Sequence, residues 1–106
     1  MIADVEAMIT FLKTGGRTRS VFNGYRPAHL VRDDYLTTGI HHYYDKQEVV
    51  LGESVRGTIT FISPEEYPHC LWIGKIINIQ EASKIVGYAE ITNVFNKILL
   101  KEDTIN

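Results

Sequence analysis

The most unusual local sequences in this chain are His41-His42-Tyr43-Tyr44 and His69-Cys70. Imidazole and thiolate are common zinc ligands, and also common bases and nucleophiles. Their spacing argues against both uses. Neighbouring residues of an extended chain face opposite ways, so His41 and His42 cannot share one ion, and His69 with Cys70 has the same difficulty. No Cys-x-x-Cys or His-x-x-x-His spacing is present, so a metal or catalytic site would need His41 or His42 to meet His69 and Cys70 from afar. Ser20, Ser54, Ser63 and Ser83 offer hydroxyls, but no Gly-x-Ser-x-Gly elbow presents one. The acid pairs Asp33-Asp34 and Glu65-Glu66 read as solvated loops. No P-loop wraps a phosphate. The expectation is therefore a protein with no catalytic residue, no metal and no cofactor, in which Cys70 is a small buried hydrophobe.

Residues that recognise a partner are better represented. Arg17, Arg19, Arg26 and Arg32 carry planar donor forks that match phosphate or carboxylate. They lie in a segment, residues 1–32, of net charge +3, whereas residues 33–106 carry −5, for −2 in total. A domain-wide basic excess, the usual mark of a nucleic-acid binder, is absent. Arg17 and Arg26 have a second reading, as braces of the turns they occupy, and it is the favoured one for Arg26. Tyr25 reads as a core anchor. Tyr67, Trp72 and Tyr88 are the aromatic candidates for contact, because Trp and Tyr dominate binding hot spots. If Leu71 and Ile73 line the core, Trp72 points outward beside Tyr67 and Ile76, and the three mark a protein interface.

The elements that must hold these residues read as strands. Val5, Ala7, Ile9 and Phe11 alternate with Glu6, Met8 and Thr10, and Val55, Gly57, Ile59 and Phe61 alternate with Arg56, Thr58 and Thr60. Gly15-Gly16, Asn23-Gly24, Asp33-Asp34, the 45–48 loop and Ser63 to Pro68 punctuate the chain at intervals of turns and prolines. No helical period competes. This pattern predicts a small all-β barrel or sandwich, and interior glycines favour closure into a barrel. At 106 residues the chain makes one domain, 1–106, with its core over about 4–97 and a frayed tail over 98–106. A single cysteine fits a reducing compartment, and the acidic start Met1 to Glu6 lacks the positive region of a secretory signal. The expected location is cytoplasmic.

A series of ordered motifs carries a family resemblance. Gly15-Gly16-Arg17 is followed by Gly24-Tyr25-Arg26-Pro27, then by Arg32 and Thr38-Gly39, by Gly52 to Pro64, and by Glu81-Ala82-Ser83-Lys84-Ile85-Val86-Gly87. In this order the sequence resembles the C-terminal, third domain of elongation factor Tu from residue 5 to residue 96. The resemblance implies a six-stranded closed antiparallel barrel with no active site of its own. In that family the barrel contacts the T stem of aminoacyl-tRNA, packs on a nucleotide domain and meets an exchange factor. Two tRNA-facing positions depart from the family: Ala28 replaces a glutamine, and Ala89 replaces a glycine where added bulk would meet RNA backbone. The expected function is thus a non-catalytic, stand-alone translation-factor-like barrel that binds protein, complementing or mimicking that domain. The alternative is binding of tRNA acceptor or T-stem RNA through the N-terminal arginines. The expected partners are a translation-related or factor-binding protein, or tRNA. No membrane and no DNA are expected.

Overall fold

A computed structural model describes residues 2–102. Eight strands follow in chain order: β1 (Val5–Phe11), β2 (Val21–Phe22), β3 (Ala28–Arg32), β4 (Tyr35–Tyr43), β5 (Glu48–Val49), β6 (Ser54–Phe61), β7 (Ile76–Glu81) and β8 (Lys84–Val94). Two short 3-10 turns, Pro64–Glu66 and Lys97–Leu99, complete the chain. Six strands close an antiparallel barrel in the order β1-β6-β4-β3-β7-β8, and β2 pairs with β5 in a separate two-stranded ribbon. The architecture is a small closed six-stranded all-β barrel: alternation predicts a small barrel or sandwich, and the six closed strands are what the resemblance implies, with the ribbon as an addition. No helix among the described residues is long and apolar enough to cross a membrane.

Alternation decides which side chains fill the barrel. Val5, Ala7, Ile9 and Phe11 of β1 point inward, as do Val55, Ile59 and Phe61 of β6 and Ile77 and Ile79 of β7. Each large aliphatic or aromatic side chain so buried contributes roughly 1.5–3 kcal/mol. Truncating one at the centre, such as Ile59→Ala, costs about 2–5 kcal/mol because the cavity cannot fully collapse.

The barrel has one thin seam. Strands β3 and β7 share only two paired positions, Ala28 with Gln80 and His29 with Ile79. Beyond them the Lys75 ammonium bridges the gap, donating to the carbonyls of Val31 and Cys70 at 2.7 Å each. A bulge in the β3–β4 pairing, between Leu30 and Arg32, falls at this point.

The start of β1 and the segment after β8 are tied together at Asp4. Its carboxylate accepts from the Phe61 amide at 2.7 Å and the Asn96 side chain at 2.8 Å, and its carbonyl accepts from the Phe95 and Asn96 amides. The chain then turns through Lys97–Leu99, buries Leu99 completely, and bridges Leu100 to Leu71 in parallel, with the Lys101 amide on the Leu71 carbonyl at 2.7 Å. Fraying from residue 98 is therefore corrected for 98–101: an apolar side chain finds a core site and backbone donors find acceptors. The rest of that expected tail, 103–106, lies outside the described residues.

Candidate functional site

The loop between β1 and β2 and the turn between β2 and β3 bring Arg17 and Tyr25 together. The Arg17 guanidinium forms an ion pair with Glu81, donates to the carbonyls of Arg19 at 3.1 Å and Ser20 at 3.3 Å, and lies 5.0 Å from the Tyr25 ring centroid. The Tyr25 hydroxyl also donates to Glu81. That hydroxyl, and next the guanidinium, hold the Glu81 carboxyl below its ordinary range, while burial and then the carboxylate push the Tyr25 phenol up. Each of the three guanidinium nitrogens of Arg17 has an acceptor within the chain, which makes it a brace. Tyr25 is half-buried against Phe11 and His41, an anchor as its sequence position suggests.

Arg19 and Arg26 behave differently. Both are exposed, and neither side chain makes a hydrogen bond or ion pair among the described residues. Bracing by Arg26, favoured from sequence, is corrected: the turn is held by backbone bonds instead, and the side chain is left in solvent. Arg19 lies in a bend rather than in a strand, and it lines an open groove of about 690 Å³ with Arg17, Phe22 and Tyr25. Arg32 is not part of that groove. It sits near Asp34 at 3.6 Å and over the Tyr35 ring, beside a second groove that contains Trp72 and Lys75. The four arginines therefore do not form one face.

The second cluster is built on a tight turn. Lys75 donates its amide to the Trp72 carbonyl at 3.1 Å, and Gly74 occupies the third position with φ +95°, a conformation that side chains with a Cβ rarely adopt. Leu71 is fully buried, whereas Trp72 is 41% and Ile73 66% exposed. Inward packing of Ile73 is thus corrected, because the turn breaks the period-two alternation on which that expectation rested. Ile76, at 59%, and Tyr88, at 40%, extend the exposed apolar surface. Ile76 pairs with Glu90 and Asn78 with Tyr88, which makes Ile76 and Tyr88 diagonal neighbours on the outer face of β7 and β8.

Tyr67 is corrected as a contact residue. Folded back by the Pro64–Glu66 turn, it is completely buried, donates to the Ile62 carbonyl and accepts from the Thr37 hydroxyl at 3.0 Å. Trp72, by contrast, is held from its flanks by two cations, with Lys75 Nζ 4.5 Å and Lys101 Nζ 5.1 Å from its ring centroid. Lys75 is in turn fixed by its two carbonyl acceptors, and burial lowers its pKa.

The histidines and the cysteine do not converge. His41 is buried in the barrel, while His42 is exposed on the opposite face near Tyr44. His69 reaches the Leu100 carbonyl at 3.0 Å and Glu102 at 3.1 Å. Cys70 is buried, and burial pushes its thiol up, away from thiolate chemistry. Among the described residues no group of three or more His, Cys, Asp or Glu side chains is placed to hold a metal ion. The partner of His41 is instead His29, a residue that reading for exposed motifs passes over. The parity of residues 28–32 puts it on the inward face, and that was the available signal.

Ala89 also changes meaning. Its methyl is fully buried, facing the barrel interior, so it adds no bulk to the outer surface and the expected obstruction there is corrected. No family model matches the chain.

Proposed function

We propose that this barrel is a non-catalytic protein-binding module of translation-factor type, acting in the cytoplasm on a translation-related or factor-binding protein. The observation that carries the reading is the exposed apolar surface of Trp72 and Ile73, on a turn that is itself held by hydrogen bonds, continued by Ile76 and Tyr88 on the outer face of β7 and β8. A side chain fixed before binding loses little entropy when it is covered, which is what makes a buried aromatic an efficient anchor. Lys75, Lys101 and Glu90 supply a polar rim around it. The motif resemblance to the third domain of elongation factor Tu supports the choice of partner class.

A second reading is the binding of tRNA acceptor or T-stem RNA. It is favoured by one observation, the uncommitted guanidiniums of Arg19 and Arg26. Affinity capture from a native lysate with the wild type, Ile73→Asp and an Arg19→Glu/Arg26→Glu double variant separates the two. A protein that survives nuclease and high salt, and is lost only from Ile73→Asp, supports the first reading. RNA that dissociates as salt rises, and is lost only from the arginine variant, replaces it with the second, since phosphate contacts release counterions.

A further inference from the structure

Inside the barrel, under the Asn23–Tyr25 turn, lies a chain of buried polar groups with a direction. His29 Nδ1 is 3.3 Å from the Thr37 carbonyl, His29 Nε2 is 2.8 Å from His41 Nε2, and His41 Nδ1 is 2.8 Å from the Tyr43 hydroxyl. A carbonyl only accepts, so His29 Nδ1 carries the N–H and His29 Nε2 the lone pair. His41 Nε2 must then be the donor between the rings, which leaves His41 Nδ1 to accept from Tyr43. All four ring nitrogens are used, and no lone pair remains for another proton. Placing one on His29 Nε2 would set two N–H groups face to face. Placing one on His41 Nδ1 would force the Tyr43 hydroxyl to give up its acceptor.

The surroundings give a cation rings and phenols but no counter-charge. Phe11 of β1, Ile59 and Phe61 of β6, and Gly39 of β4 pack on the two rings, and Ile79 of β7 pairs with His29. Gly39 is there because a Cβ would stand 2.9 Å from the His29 ring and 2.7 Å from Ile59. The titratable neighbours are Tyr25 and Tyr43, both phenols, with Arg17 and Glu81 one layer further out on Tyr25. Among the described residues no carboxylate bonds to either imidazole.

The same residues carry the turn above them. Gly24 donates to the His41 carbonyl at 2.9 Å, His41 donates to the Tyr25 carbonyl at 2.9 Å, and the Tyr43 amide donates to Asn23 Oδ1 at 2.9 Å. The Tyr25 ring meets the His41 ring edge to face, with centroids 5.6 Å apart. From outside, the turn is also held by the Asn23 amide on the Gln47 carbonyl at 2.8 Å and by the Tyr25 hydroxyl on Glu81, so His41 and Tyr43 form its inner anchorage.

We propose that the His29–His41 pair is an acid-operated latch: neutral, it holds the Asn23–Tyr25 turn on β4, and on taking a proton it releases that turn and opens the groove along residues 17–25 while the rest of the barrel stays closed. Burial holds both imidazoles below the ordinary histidine range, and His29 pushes His41 further down, so the latch stays shut at neutral pH. This inference is independent of the partner surface at Trp72.

Amide hydrogen exchange followed residue by residue from pH 7 to 4.5, corrected for intrinsic rates, tests it. The wild type is expected to lose protection at Gly24 and His41 by about tenfold or more before the amides of β1 and β6 change. The triple variant His29→Phe/His41→Leu/Tyr43→Phe, which replaces the polar chain with apolar groups, is expected to keep the turn protected over the whole range. Simultaneous loss over turn and barrel, or loss in the variant at the same pH, overturns the proposal. Should the variant not fold, long-range proton–nitrogen spectra of the wild type decide. They must show the N–H on Nδ1 of His29 and on Nε2 of His41 at pH 7.5; any other tautomer pair, or a histidine midpoint near 6.5 in either ring, rules the latch out.

Discussion

Two of the turns that set a cation against an aromatic ring put the pair to opposite use. At Tyr25, the Arg17 guanidinium and the phenol converge on Glu81, and the ring lies against Phe11 and His41. At Trp72, Lys75 spends its charge on two backbone carbonyls, and the ring keeps 41% of its surface in solvent. The first pair has a carboxylate and a core to rest on, so its geometry stabilises the fold. The second has neither, so its geometry presents an apolar group outward. The same contact type carries opposite information, and the third partner decides which.

Acid should separate the two sites most strongly. The His29 pKa falls from 6.5 to about 4 through burial. Both folded and unfolded chains are neutral at this ring above pH 6.5, so the full stability is present there. Below it the unfolded chain binds the proton first, and stability falls until the folded ring also titrates near pH 4. This one group is worth about 3 kcal/mol over that window, measurable by denaturant titration at a series of pH values. Trp72 is the only tryptophan, so its fluorescence reports the other turn alone. Its emission should stay unchanged while the Tyr25 side loosens, and a parallel change would erase the distinction.

Next in size, Trp72→Ala should weaken the captured partner by about 2 kcal/mol, or roughly thirtyfold, measured by titration calorimetry. Its melting temperature should stay near that of the wild type. Glu81→Ala should do the reverse. It leaves Arg17 and the Tyr25 hydroxyl without their acceptor and lowers stability by about 1 kcal/mol, reduced from the buried value because the carboxylate is partly exposed. Partner affinity should be untouched. Smallest of all, Arg26→Ala should leave the thermal melt where it was, since its side chain holds nothing.

Most of the barrel was legible from residue types because alternation in β1 and β6 is physical: one face must leave water. Legibility failed where a backbone conformation, rather than a pattern of hydrophobicity, set the direction of a side chain. Ile73 reads as inward by parity, yet one glycine at positive φ turns the chain and puts it outside. Tyr67 reads as a surface aromatic among prolines, yet the turn those prolines help to form folds it into the core. Residue 98 onward reads as a tail because its burial partner, Leu71, is distant in sequence. The His29–His41 contact was out of reach for a related reason. It joins two strands whose register depends on a bulge at Val31 that no local motif announces. Arg17 as a brace was among the readings its Gly-Gly-Arg context allowed, and Glu81 as its partner needed the barrel to close first.

Asp4 has a consequence for how the protein comes into being. Its contacts reach Asn96, and Glu6 reaches Thr92, so β1 waits for a neighbour, β8, that leaves the ribosome long after it. During synthesis one edge of β1 has no partner until β8 emerges, although β6 can cover the other. Such long loops close slowly, and an unpaired strand edge is open to pairing with a neighbouring chain. The carboxylate that fastens the finished ring thus finds its Asn96 partner only after β8 has emerged, and until then that edge of β1 stays open to a neighbouring nascent chain.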